Sequence, residues 1–351
     1  MARIGIQHPI IQAPMVGPRA SLAAAVTAAG GLGSLACATF GPDDVRTEAA
    51  AIRAVTDGPF NLNFFCHTPP DPDPARAEAW RAALRPHYLE LGLDPDAPVA
   101  FANRAPFDKT MLDTVLDLAP RVVSFHFGLP APDLLAPLRQ AGILVLASAT
   151  TTTEAQWLEA HGADAIIAQG AEAGGHRGMF LTNDLATQAG TLALVPQIVD
   201  AVGLPVIAAG GIADGRGVAA VMALGAVAAQ VGTAFLFCPE ARISHAHREA
   251  LSSARSHDTA ITNVLTGRPA RGIVNRVMRE HGPISPIAPA FPGAAAALQP
   301  LRVTAEAKGH GDFSPLWSGQ SAALARPCSA GDLTRALIFE ADAVLARLRS
   351  R

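Results

Sequence analysis

Eight short apolar runs recur along the chain, at 9–13, 33–36, 60–65, 122–127, 143–148, 165–169, 205–209 and 228–232. Most are continuously apolar rather than alternating, the pattern of strands covered on both faces, as in parallel sheets. Between most of them lie helix-like segments that stop at glycine: 21–29 before Gly30-Gly31, 153–161 before Gly162, 194–202 before Gly203 and 215–224 before Gly225. Strand, helix, glycine, strand is the βα rhythm. Eight repeats predict an α/β fold, a (β/α)8 TIM barrel, with an open doubly wound sheet as its rival.

The spacing is uneven. Residues 66–121 separate the third and fourth runs and include the proline-rich stretch 68–74. Helices are predicted through 75–91 and 109–118, with an extra strand at 97–102. After Cys238-Pro239-Glu240 the rhythm stops, and prolines punctuate an irregular, helix-rich stretch. The chain therefore divides into a barrel over 1–240, a mainly helical lid at 241–310, and a segment 311–351. The last of these ends in an amphipathic helix, 332–349, that returns to the barrel.

Composition narrows the function. Half of the 351 residues are hydrophobic and 16% are charged, enough apolar side chain for one large core. The net charge of −3 disfavours a nucleic-acid or anionic-membrane binder, and a single tyrosine, Tyr88, disfavours base stacking. Cys37, Cys66, Cys238 and Cys328 are widely spaced, neither a disulfide framework nor a zinc signature, and predict reduced thiols. No H-x-x-x-H pair or carboxylate cluster reads as a metal site. No long apolar span and no secretory apolar region at the start are seen, so a cytoplasmic monomer or homodimer is expected.

Ligands of barrels sit at the C-terminal strand ends, and four segments there carry unusual residues. Gln12-Ala13-Pro14-Met15 ends the first run, where proline fixes the chain and Met15 is soft enough to meet a ring face. Asn63, late in the third run, offers a donor and an acceptor together; it suits a flavin edge or simply its own backbone surroundings. Gly210-Gly211 and Gln230-Val231-Gly232-Thr233 end the seventh and eighth runs, where exposed backbone N–H groups favour one phosphate. The fourth segment, Gln169 to Gly178, contains Gly174, Gly175 and His176. Those glycines let a flat ligand approach, and the histidine is suited to proton transfer. Arg177 is expected in a solvated pair with Glu172, with a substrate anion as its alternative partner, and His245 and His247 are expected to be solvated. His126 lies within the fourth run, where it is either a core histidine of a buried strand or a residue that reaches the mouth.

These blocks, with Ser124 to Pro130 and Leu316-Trp317-Ser318-Gly319-Gln320, resemble the nitronate monooxygenase family, class I, over nearly the whole chain. The resemblance implies FMN on the barrel and oxidation of alkyl nitronates such as propionate 3-nitronate by O2, giving carbonyl compounds and nitrite or nitrate. It implies His176 as the active-site histidine. It places Asn63, Gln169, Gly174, Gly211 and Gln230 to Thr233 on FMN, with Ser318, Gly319 and Gln320 closing over it. Pro14, Met15, Gly175 and Gly210 join that cofactor set through their positions at the strand ends. The family's site tyrosines have no counterpart, so Phe313 or Trp317, with His126, is expected to line the substrate site. An NAD(P)H-dependent FMN quinone or enoyl reductase shares the Ala173-Gly174-Gly175-His176 core and is the alternative. A non-catalytic flavin-binding protein is the alternative of another class.

Overall fold

The computed structural model describes residues 3–15, 17, 19–99 and 104–350. Strands β1 (Ile10–Gln12), β2 (Gly33–Ala36), β3 (Phe60–Phe65), β4 (Val122–His126), β5 (Leu144–Ala149) and β6 (Ala165–Gln169) appear where the apolar runs predict them. A short strand β7 (Gly175–His176) follows, and β8 (Val206–Ala209) and β9 (Ala228–Val231) complete the runs. All neighbours in the eight-stranded sheet are parallel, in the order β1-β9-β8-β6-β5-β4-β3-β2. A bridge between Ile11 and Leu32 brings the two ends together. The result is the expected (β/α)8 barrel.

The continuous apolar runs divide by parity. Ile11, Leu32, Val122, Leu144, Leu146, Ala165, Ile167, Ile207, Ala209 and Ala228 form one cluster inside the barrel. Their neighbours Ile10, Ile166, Ala208 and Ala229 pack outward against the helices. Each strand is thus buried on both faces, which is why alternation is missing from the sequence. The inward register turns polar toward the mouth: Asn61 and Asn63 on β3, Ser124 and His126 on β4, Ser148 on β5, Gln169 on β6, Gln230 on β9. Asn61 donates to Ser34 (3.1 Å) and Ser124 (2.8 Å), so this layer is bonded as well as packed.

Among the described residues twelve α-helices surround or extend the sheet: α1 (Ala20–Ala28), α2 (Pro42–Arg53), α3 (Pro74–Leu91), α4 (Lys109–Leu118), α5 (Pro132–Gln140), α6 (Thr152–Ala160), α7 (Thr191–Ala201), α8 (Gly215–Ala223), α9 (His245–Ser252), α10 (Arg276–His281), α11 (Ala294–Ala307) and α12 (Ala330–Arg349). Side chains of Asp73, Asp108, Thr151, Asp214, Ser244, Asn275 and Ser329 cap seven of them by accepting N-terminal amides. Helix α1 lies so close to β2 that a Cβ on Gly33 would sit 2.0 Å from the Ala23 carbonyl oxygen. Helix α12 packs against α8 and α1, as the returning C-terminal helix requires. Residues 97–99 form no strand, and the rest of the extra strand expected at 97–102 lies outside the described residues.

The stretch 241–310 carries α9, α10 and α11, and in addition a hairpin that the sequence pattern did not reveal. Strands β10 (Thr259–Thr262) and β11 (Ala270–Ile273) are antiparallel, and β11 pairs in turn with β7. Helix α11 is anchored on α3: the Trp80 indole donates to the Ala294 carbonyl (3.2 Å) and the Tyr88 hydroxyl to the Ala297 carbonyl (2.5 Å). The chain's one tyrosine therefore anchors α11 on α3. Among the described residues no helix is long and apolar enough to cross a membrane.

Candidate active site

The polar layer opens into a cleft of about 1360 Å³, continuous with solvent. The structure brings to it Pro14, Met15, Asn63, His126, Gln169, Gly174, Gly175, His176, Gly210, Gly211, Gln230, Gly232, Thr233, Trp317 and Gly319. Val231 points outward into the helix-packed core, Ser318 is buried with its hydroxyl on the Gly319 carbonyl, and the Gln320 side chain is exposed. Phe313 corrects the expectation for the substrate wall. It is 2% exposed and packs with Trp80 and Tyr88, its ring 5.1 Å from that of His87. Val16, next to the first of these segments, lies outside the described residues.

His176 owes its position to backbone pairing. Its strand β7 is held by β11 in the register Ala270↔His176 and Arg271↔Gly175. Its carbonyl accepts from Gln169 Nε2 (2.9 Å) and faces His126 Nε2 at 3.1 Å. That contact requires a proton on Nε2 of His126, whose Nδ1 faces the Ser148 hydroxyl at 3.0 Å. The His176 ring lies 5.4 to 5.9 Å from the rings of Phe291, Trp317, Phe65 and Phe127. Its Nε2 faces the Thr266 hydroxyl at 3.0 Å, and that hydroxyl donates to the Arg268 carbonyl at 3.3 Å. Thr266 thereby accepts from Nε2–H and leaves Nδ1 as the lone-pair nitrogen. Burial, and then the charge of Arg104, push the His176 pKa well below the usual histidine value, so the ring is neutral.

Arg177 is fully buried, not solvated, and it does not pair with Glu172. Its guanidinium donates to the carbonyls of Gln169 (2.7 Å) and Gly170 (2.8 Å) and to the Gln188 side chain (2.8 Å). Arg271 donates to the Ala171 carbonyl at 2.8 Å. Glu172 accepts instead from the amide and hydroxyl of Thr191 at the start of α7. The loop that carries His176 is thus tied down at both edges.

Across the mouth, Gly210 and Gly211 have φ of +116° and +69°, a left-handed pair that glycine adopts without strain. Among the described residues the amides of Gly210, Gly211, Gly232 and Thr233 have no protein acceptor. Gln230 Oε1 is buried and also without a partner. The 317–321 segment closes this side: the Gly319 amide donates to Thr233 Oγ1 (2.9 Å), and the Ser321 hydroxyl to the Gly211 carbonyl (2.8 Å). It comes so near the opposite loop that a Cβ on Gly174 would meet the Gly319 nitrogen at 2.6 Å.

Residue patterning missed several lining groups. His247, expected in solvent, is half-buried; its Nε2 donates to the Trp317 carbonyl at 2.9 Å, and desolvation lowers its pKa to about 4. Ser124 and Ser148 also line the cleft, and their signal was present in the sequence as polar residues at inward positions of apolar strands. Arg104 lines it from a stretch without periodicity.

A family model described as Nitronate monooxygenase matches residues 1–340. The nitronate monooxygenase of Pseudomonas aeruginosa is 47% identical over 342 residues, spanning 96% of this chain and 97% of that protein. The solved nitroalkane oxidase of Streptomyces ansochromogenes is 41% identical, with a TM-score of 0.88 and 98% of each chain covered. FabK from Thermotoga maritima is 27% identical, with a TM-score of 0.72, covering 99% of this chain and 97% of that one.

Desolvated histidines make stability depend on pH. His126 and His247 are each lowered from 6.5 to about 4 by burial. Below about 6.5 the unfolded chain takes up protons that the folded chain refuses, so this contribution to stability is complete above that pH and is lost toward pH 4. His247→Gln keeps a donor for the Trp317 carbonyl but removes one titrating group. Denaturant unfolding from pH 7 to 4.5 should then show a slope shallower by up to about 1.4 kcal/mol per pH unit. An unchanged slope would mean that His247 does not titrate as a desolvated neutral ring.

Proposed function

The chain belongs to the nitronate monooxygenase family, and from that premise we propose that it uses FMN and O2 to convert alkyl nitronates to carbonyl compounds and nitrite or nitrate. The observation that carries the cofactor assignment is the set of unpaired amides at Gly210, Gly211, Gly232 and Thr233, with the orphaned Gln230 Oε1 beside them. A phosphate supplies acceptors for those amides, and a flavin ring edge supplies a donor for Gln230. Pro14, Met15, Asn63, Gln169, Gly174 and Gly175 would border the ring, and Gly319 would close over it. The residues present fit the group. Bound FMN would supply the electron transfer between nitronate and O2, which no side chain here can perform.

The protein's own part is binding, orientation and exclusion of water. A nitronate is already deprotonated, so a neutral His176 suits it. The ring orients the nitro oxygens without needing to remove a proton, and it sits behind Phe65, Phe127, Phe291 and Trp317, which limit solvent access. A neutral nitroalkane would need a base, and the free Nδ1 is the nitrogen that Thr266 leaves for it. His126 holds the His176 carbonyl and acts through it as a positioning residue.

Gly232→Glu places a charge and a side chain beside Ala13 and Met15, whose nearest atoms are 3.5 and 3.9 Å from a Cβ there. Purified variant protein should carry much less flavin by absorbance; undiminished flavin would remove the phosphate from this position. His176→Ala should lower kcat/KM for nitronates by roughly 10² to 10⁴ with flavin content near normal. Full activity in that variant would reduce His176 to a loop residue. The reductase alternative makes a separate prediction. Under anaerobic stopped-flow mixing, a nitronate should bleach the flavin rapidly, and NADH and NADPH slowly or not at all. Reduction by a nicotinamide at the nitronate rate would transfer the chain to the reductases, and a yellow protein inert to both donors would make it a binding protein.

A further inference from the structure

The cleft wall contains one charged side chain, Arg104, and no carboxylate among the described residues that line it. Arg104 lies between α3 and α4, just before α4, in a stretch tied to the end of β3 where the Phe107 amide donates to the Phe65 carbonyl (2.8 Å). Its guanidinium lies 5.8 Å over the ring of Phe291, which itself faces His176 at 5.4 Å. No hydrogen bond or ion pair engages it among the described residues. The acids near the mouth are committed elsewhere: Glu172 to Thr191, and Glu154 to the amides of Thr150, Phe180 and Leu181. Burial lowers the pKa of Arg104, yet leaves it a cation short of a counterion. A second guanidinium, Arg268, stacks 3.9 Å over Phe127 with its Nε unpaired, and adds to the positive field on this side.

Position separates this charge from the unpaired amides. Strand β3 lies three places from β9 and four from β8 around the sheet, so Arg104 faces the amides of Gly211 and Gly232 from the opposite side of the mouth. A half-buried cation that faces a cleft without carboxylates is costly until an anion fills the space. The anion must come with the ligand on the His176 side.

We propose that Arg104 is a specificity-determining residue that pairs with an anionic tail of the substrate, a carboxylate in the simplest case, at the end away from the nitronate carbon. The chain then selects ω-carboxylate nitronates over uncharged alkyl nitronates of the same length. This rests on the functional reading above and adds to it the side chain that chooses the substrate.

The test compares propionate 3-nitronate with propyl-1-nitronate in the holoenzyme, in Arg104→Gln and in Arg104→Lys. In Arg104→Gln the KM for propionate 3-nitronate should rise roughly ten- to a hundredfold with kcat little changed. Propyl-1-nitronate should change by no more than about twofold, and Arg104→Lys should fall between wild type and Arg104→Gln. Equal losses on both substrates would place Arg104 on the nitronate group itself, and no loss on either would leave it without a role; each overturns the proposal. Propionate provides a readout without turnover. Titrated anaerobically, it should perturb the flavin absorption of the wild type and do so far more weakly in Arg104→Gln; undiminished binding overturns the proposal. If the wild type oxidises neither nitronate, the functional reading fails, and the propionate titration still decides the role of Arg104.

Discussion

Three consecutive carbonyl groups, those of Gln169, Gly170 and Ala171, are held by two buried guanidiniums, and the geometry of the cleft depends on that grip. Arg177 takes the first two and Arg271 the third. Burial lowers the pKa of both, Arg177 to about 10, so each remains charged at neutral pH while carrying a real desolvation cost. Bonds from an ionised donor are stronger than neutral ones and offset that cost. The glycines at 170, 174 and 175 would otherwise leave the loop with many conformations. Arg271 also lies in β11, which pairs with β7, so one strand supplies both the guanidinium and the register that fixes His176.

This arrangement divides the work between layers. Below, the inward register is apolar and close-packed; above, it becomes Asn, Ser, Gln and His without leaving the strands. Groups on strands are positioned more rigidly than groups on loops, and the cleft floor is built from them. The 241–310 stretch contributes the Phe291 ring, the His247 imidazole and backbone pairing, and no carboxylate among the described residues that line the cleft. His176 sits where the barrel meets the three-stranded sheet, with its backbone in that sheet and its ring among Phe65, Phe127, Phe291 and Trp317.

The barrel was legible because its signal is local. A strand buried on both faces must be apolar throughout, and each helix must end before the next strand, so the runs at 122–127 and 165–169 and the stops at Gly162 and Gly225 carry the fold directly. The strand-end glycines were legible for the same reason. The hairpin Thr259–Thr262 with Ala270–Ile273 was not, because its strands are short and its partner is a two-residue segment some ninety-five positions earlier. Arg177 looked solvated because its partners are carbonyl groups, which leave no trace in side-chain patterning. Phe313 looked like a site residue through its neighbours in sequence, yet it packs with Trp80 and Tyr88. Arg104 and His247 gave no pattern; only tertiary packing brings them to the mouth.

The 317–321 segment has a consequence for the order in which the molecule is made. Ribosomes deliver the chain from one end, and domains fold as their parts emerge. The amides at Gly210, Gly211, Gly232 and Thr233 are synthesised long before Gly319 and Ser321, which bond to Thr233 and to Gly211. Helix α12, which packs on α8 and α1, emerges last. A nascent chain therefore holds an unroofed cup through the final hundred or so residues of its synthesis. The wall made by Gly319 and Ser321 is thus the last part of the site to be synthesised, added to a floor that is already made.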